Sequence, residues 1–245
     1  MKPFLVSILF IIFIGKTHRT VAQTSVSNSV FYQKAIDNSV ALYHQKMGEQ
    51  SGLYNGSQYP TYQFVFQENG HPYFNKNTFC KGSIVYENVL YPNVKLLYDE
   101  VAEVIIFQDS SHFIQLINDK ISQFTLENAF FIRIQKDSLN NLTSGFYQVL
   151  YDGKVNVLKR ETKTVNETLG STVEGVLRYI KIERFFYIKN NNIYYPIRQK
   201  TDVFRVYKDY KKDIQKYLKN NSLNFKNDRD IFLVNVSNFH DQLTK

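Results

Sequence analysis

The groups through which this chain could do chemistry are few and scattered. Downstream of the amino-terminal segment lie His44, His71, His112 and His240, and none stands at a metal-binding spacing such as His-x-x-x-His from another His, Cys or carboxylate. Only residues distant in sequence would complete a metal site. Ser110-Ser111-His112 sets serines beside a histidine, but neighbours on an extended strand point to opposite faces, so adjacency does not make a nucleophile-base pair. Gly56-Ser57 and Gly82-Ser83 lack the Gly-x-Ser-x-Gly frame of a nucleophile elbow. Cys80 is the sole cysteine and reads as a small buried hydrophobe. Asp99, Glu100, Glu103 and Asp109 could supply the two carboxylates of glycoside hydrolysis, and they read more simply as surface charge. No catalytic residue, metal ligand or cofactor motif is assigned.

A second constellation is aromatic and polar: Tyr54, Asn55, Tyr59, Tyr62, His71 and Tyr73, all near turns. Exposed Tyr and Asn on loops bind glycans or peptides, because Tyr offers rigid amphipathic area. The plainer reading is that these tyrosines lace a first helix to a sheet edge.

That helix is expected over residues 28–49, where Tyr32, Ile36, Val40, Tyr43 and Met47 make one apolar stripe. Strands are expected at Tyr62–Gln67, Ser83–Glu87, Val94–Tyr98, Glu103–Phe107 and Phe124–Ile134. Pro92, lacking an amide proton, belongs at a strand start or edge. His112–Ile121 fits a strand or a short helix. Asp152-Gly153 predicts a type I′ hairpin between Gly145–Tyr151 and Lys154–Leu158. Arg184–Ile188 and Ile193–Ile197 make another hairpin, and the polar stretch Glu161–Gly175 between the two reads as a long loop. Near the end, Val203, Tyr207, Tyr210, Ile214 and Tyr217 form one helical stripe. Phe232, Val236, Phe239 and Leu243 form a second, capped by Asn227 or Asp228 and separated from the first at Asn220–Ser222. Helices flanking a run of strands predict an α+β domain, with a curved antiparallel sheet, an N-terminal helix and two C-terminal helices on one face. Residues 23–60 would be the helix and turn region, 61–198 the β-rich body and 199–245 the helical end. No βαβ alternation or glycine-rich phosphate loop occurs, which disfavours a nucleotide-binding sheet.

Composition agrees with a β-rich body: 20 Phe and 18 Tyr stand against no Trp. The net charge is +8, and removing Lys2, Lys16 and Arg19 with the leader described next leaves +5. Lys208, Lys211, Lys212, Lys216, Lys219 and Lys226 cluster late, interspersed with Asp209, Asp213, Asp228 and Asp230, as on a solvated helix face. No recognition motif accompanies them, so no nucleic acid partner is expected. Sequons begin at Asn55, Asn141, Asn166, Asn220 and Asn235, and matter only in a glycosylating secretory pathway.

Residues 1–22 read as a secretory signal peptide. Lys2 precedes a twelve-residue apolar run, Phe4–Gly15, and small residues at Thr20 and Ala22 mark a cleavage site. The run is too short for a membrane span of about 20 residues, and Lys16, His18 and Arg19 prevent its extension. No cysteine near residue 22 would accept a lipid, and no later segment is apolar enough for a transmembrane helix.

Leu53–Tyr59, Gly70–Phe74, Lys81–Tyr86 and Leu97–Asp99, with the Lys-rich helical end, resemble uncharacterised exported proteins of Bacteroidetes-type Gram-negative bacteria. The resemblance implies a periplasmic or outer-envelope location and no particular activity. The expectation is therefore an exported envelope protein, non-enzymatic, binding a lipid, peptide or glycan on an open concave sheet face. An outer-membrane β-barrel is the alternative, and a hydrolase with a His-anchored or paired-carboxylate cleft is the second.

Overall fold

The computed structural model describes residues 38, 39, 42, 52–110, 112–136 and 142–244. The chain divides into two compact units, Met1–Gly48 and Glu49–Lys245. In the first, Asn38, Ser39 and Leu42 are helical, within the expected 28–49 helix; the rest of that helix and the leader lie outside the described residues. The remainder of the fold described here belongs to the second unit.

Among the described residues its body is one open antiparallel sheet of eleven strands, in the order β1-β5-β4-β3-β2-β6-β7-β8-β9-β10-β11. After a 3₁₀ turn at Gly52–Asn55 come β1 (Ser57–Gln58), β2 (Cys80–Tyr86), β3 (Val89–Asp99), β4 (Val104–Asp109) and β5 (His112–Gln115). Then follow β6 (Ile121–Leu126), β7 (Ala129–Ile134), β8 (Gly145–Asp152), β9 (Asn156–Leu169), β10 (Val176–Asn190) and β11 (Ile193–Pro196).

The sheet curls strongly. Four strand spacings separate β3 from β8, about 19 Å in a flat sheet. Yet the rings of Tyr98 on β3 and Phe146 on β8 lie 5.8 Å apart. Phe124 stacks on Phe131 at 4.6 Å and meets Phe146 at 5.2 Å. These buried rings, with Ile84, Tyr86, Leu96 and Ile105, fill the concave face. The expected open ligand face is thus occupied by the protein's own core.

Several connections are tighter than the sequence pattern predicts. Glu87 and Asn88 both take positive φ, so β2 turns into β3 in two residues rather than through Asn88–Asn93. Pro92 then falls inside β3, not at its start or edge. Pro92 and Asn93 form a bulge opposite Ser83, whose amide bonds the Thr125 hydroxyl instead. Phe124–Ile134 is two strands meeting at Glu127-Asn128. The undecided His112–Ile121 stretch is a strand followed by a 3₁₀ turn at Asn118–Lys120. β8 does pair with β9, but neither Asp152 nor Gly153 has positive φ. Lys154 N–H is drawn to the Asp241 carboxylate and Val155 is buried under the helices, which opens the type I′ turn into a longer loop. The β10–β11 turn is Asn191-Asn192, both with positive φ.

The largest correction is Glu161–Gly175. Only Gly170–Gly175 is a turn; Glu161–Leu169 is strand, and β9 and β10 pair continuously from Asn156↔Lys189 to Leu169↔Val176. Thr162, Thr164, Val165 and Thr168 are β-branched, and cross-strand ion pairs join Arg184 to Glu161 and Arg178 to Glu167. Much of the ribbon's outer half is exposed, so its polarity reflects solvent contact rather than absence of structure.

The helical end holds three helices rather than two: α1 (Lys200–Val206), α2 (Lys211–Asn220) and α3 (Arg229–Leu243). The single stripe from Val203 to Tyr217 is interrupted by a 3₁₀ turn at Lys208–Tyr210. Tyr207 adopts a non-helical conformation there, its hydroxyl sharing a hydrogen bond with the buried Ser237 on α3. Val203, Ile214, Leu218, Phe232, Leu233 and Val236 pack with Val157, Phe186 and Ile188 of the sheet. The late lysines are all exposed. Asp228 caps α3 by accepting Ile231 N–H at 2.9 Å. Asp228→Ala is expected to cost about 1 kcal/mol, read as a lower urea midpoint with an unchanged slope. No helix among the described residues is long and apolar enough to cross a membrane.

Candidate functional site

The carboxylates that the sequence suggests as surface charge include the most buried acids of the molecule. Asp99 and Glu100 close β3 and are almost fully buried. Asp99 Oδ1 accepts the N–H groups of Val101 and Ala102, and Oδ2 accepts the hydroxyls of Tyr59 at 2.6 Å and Tyr62 at 2.9 Å. Burial, reinforced by the Asp99 charge, pushes both tyrosines well above the usual phenol range, so they remain donors at any physiological pH.

Glu100 faces Lys163, which is 5% exposed in its side chain and stands 3.1 Å away. Lys163 Nζ also donates to the His71 and Tyr73 carbonyls, and Lys163 N–H bonds Glu100 O at 3.1 Å. Two Nζ protons go to those carbonyls, and Glu100 Oε2 is held by charge without a well-aligned hydrogen bond. Burial raises Glu100 to about 7 against the opposing pull of Lys163. Burial, with the nearby Lys163 charge, lowers His71. This cluster joins β9 to the end of β3 where the sheet curls back on itself, and it fastens the 62–74 segment across them. Arg160 on β9 pairs with Glu103 beside it.

Tyr62–Gln67 is consequently not a strand. Tyr62 is held by Asp99, and Tyr62, Phe64 and Phe66 form a three-ring cluster with centroids 5.2–5.6 Å apart. Arg178 lies 4.3 Å over Phe64, and Gln67 N–H bonds Arg178 O. Alternation gives way to ring packing and a cation–π contact.

The aromatic-polar constellation therefore divides. Tyr62, His71 and Tyr73 belong to the buried fastening. Tyr54 and Tyr59 line a cleft of about 620 Å³ at the first edge of the sheet. The cleft lies where 54–61 runs along β5, with Ser57↔Gln115, Gln58↔Ile114 and Tyr59 N–H bonded to Phe113 O. Tyr54 meets Phe107 edge-on at 5.7 Å, and Phe113 stacks on Phe79 at 5.2 Å, so the aromatic walls are braced from behind. Its polar lining is Ser57, Gln58, Thr61, Asp109, Ser110 and His112. The side chains of Ser57, Gln58, Asp109 and His112 make no hydrogen bond or ion pair among the described residues. By contrast, the cleft at Asp119 and Arg133 is spanned by its own ion pairs, as is the one at Lys159 and Asp230.

Gly56 sets the approach of this edge. A Cβ there would lie 2.2 Å from Gln115 O and 2.7 Å from Ile114 Cγ2. Gly56→Ala is expected to push β1 off β5 at a cost of about 1–3 kcal/mol. Faster hydrogen exchange at the Tyr59 amide would register it; unchanged exchange would refute the close packing.

The remaining candidates sit elsewhere. Cys80 is partly rather than fully buried, its Sγ 3.7 Å from Glu127, and desolvation with that carboxylate raises its pKa, so it is no activated thiolate. His240 is buried against the helices, stacked 4.5 Å on Tyr207 with Nδ1 3.1 Å from Asp241 Oδ1. Asp241 Oδ2 accepts from Tyr151 at 3.0 Å and from Lys154 N–H. His44 and Ser111 lie outside the described residues, and Ser110 makes no bond to His112. No group of three or more His, Cys, Asp or Glu that could hold a metal occurs among the described residues. Lys163 was hidden in sequence by the polar stretch around it; the β-branched run Thr162 to Thr168 was the available signal. No family model, curated protein or solved structure matches this chain.

Proposed function

We propose that this chain is an exported cell-envelope protein that binds a ligand without transforming it, at the cleft between 54–61 and β5. One observation carries the reading: four polar side chains of that cleft are uncommitted, on walls held rigid by the sheet and by Asp99. Export rests on the leader-like residues 1–22. The test is fractionation of native cells with a high-salt membrane wash. Mature protein in the soluble periplasmic fraction supports the reading. Protein that needs detergent overturns it in this form and leaves an uncleaved anchor at Phe4–Gly15 to pursue, since the open sheet of the described residues does not close into the alternative β-barrel.

A hydrolytic reading has one observation in its favour. Asp241 orients His240 through Nδ1, and His240 lines a cleft of about 350 Å³ with Tyr210 and Asp209. Turnover of a chromogenic ester or glycoside that His240→Gln abolishes in a folded protein would establish it; equal turnover by both proteins would remove it.

A further inference from the structure

We infer that the ligand of the β1/β5 cleft is a neutral saccharide. The inference rests on the binding reading above and adds the chemical class. The chain as a whole carries a net charge of +8, yet among the described residues no Lys or Arg lines this cleft. The one carboxylate among those residues, Asp109, has no described cation against it. A phosphate, sulfate or carboxylate ligand would meet that charge with nothing to offset it. Anionic lipid headgroups and acidic glycans are disfavoured on the same ground.

What the cleft offers is acceptors, amides and ring edges side by side. A carboxylate accepts two hydroxyl protons at once, and the Gln58 amide both donates and accepts, as adjacent sugar hydroxyls require. His112, directly across the β4–β5 pairing from Asp109, adds one ring nitrogen of each kind when neutral. Tyr54 and Phe113 supply the apolar surface against which the C–H face of a pyranose packs. The volume of about 620 Å³ suits a short oligosaccharide rather than a lipid chain or a folded partner. A peptide strand fits less well. The main chain of 57–59 is paired with β5, and the lining presents side chains where a peptide would need a run of free backbone partners.

The experiment isolates the full-length gene product as its native host exports it, identifies bound material by mass spectrometry, and titrates it by calorimetry. An array of neutral, uronate and sulfated oligosaccharides is screened in parallel. Asp109→Ala and Gln58→Ala are compared with the unaltered protein after circular dichroism confirms the fold. The expected result is a neutral saccharide whose affinity falls about 10- to 100-fold in Asp109→Ala and less in Gln58→Ala. A peptide, lipid or acidic glycan whose binding falls in both variants would overturn the saccharide assignment while leaving the binding cleft intact. A saccharide that binds equally to all three proteins, or no ligand at all, would overturn both.

Discussion

Lys163→Met is expected to cost about 3–5 kcal/mol at pH 8, among the largest single losses available in this molecule. The substitution keeps the stem's volume and removes the charge. It leaves Glu100, 1% exposed in its side chain, without its cation, so that at pH 8 the carboxyl must either stay charged and unpaired or take up a proton, and it leaves the His71 and Tyr73 carbonyls without their donor. The loss depends on pH, and its sign follows from Glu100. The folded protein holds that carboxyl at about 7, against 4.5 for the free side chain. A raised carboxyl stabilises the fold while protonated, so this contribution is present below pH 4.5 and fades as pH rises through 7. The span amounts to roughly 3 kcal/mol. In Lys163→Met the carboxyl loses its cation and rises further, so at pH 5 it is neutral and the cost shrinks to the lost carbonyl bonds, about 1–3 kcal/mol. Urea midpoints at pH 5 and 8 would show the difference, and Glu100→Gln would flatten the corresponding slope in the otherwise unaltered protein. An equal cost at both pH values would mean that Lys163 serves only as a hydrogen-bond donor.

The same residue shows where sequence reading succeeded and where it stopped. Antiparallel β-structure followed by helices was legible, because short continuous apolar runs such as Leu96–Tyr98 and Val104–Phe107, each beside a turn, are local signals. So was the Asp228 cap, a one-turn effect. The extended ribbon of β9 and β10 was hidden by its polarity: alternation marks a strand only when one face is dry. Tyr62–Phe66 failed in the opposite direction. Its perfect alternation was real, but the rings close on one another and on Arg178, and the partner that holds Tyr62 is 37 residues away. Tyr207 breaks a helical stripe for a hydroxyl 30 residues further on. Buried acids look the same in sequence as exposed ones, since what distinguishes Asp99 from Asp109 is the arrival of two tyrosines from another segment. The cleft was half legible: Tyr54, Gln58 and Tyr59 share one turn-rich stretch, whereas Asp109 reaches them only through the β4–β5 and β1–β5 pairings.

Asp99→Ala is expected to cost about 4 kcal/mol and to weaken ligand binding at a site the carboxylate does not touch. Four donors point at its two oxygens: the Val101 and Ala102 amides and the Tyr59 and Tyr62 hydroxyls. Each donor left without an acceptor costs about 1–3 kcal/mol when buried. The total falls short of four full penalties because Tyr62 and Ala102 keep some access to water. Tyr59→Phe removes one bond and one buried hydroxyl together, so its cost stays near 1 kcal/mol. The two lesions share a partner, and their costs in the double variant should sum to less than the separate values. The binding effect has a geometric cause. Tyr59 is both a wall of the edge cleft and a ligand of Asp99, so freeing its hydroxyl lets the ring leave its place beside Leu97 and Ile106. Calorimetry should therefore show weaker binding in Asp99→Ala at temperatures where circular dichroism still reports a folded protein. If stability falls while affinity holds, Asp99 fastens the sheet without shaping the cleft. If both hold, the hydroxyls find other acceptors and the buried carboxylate is not what keeps Tyr59 in place.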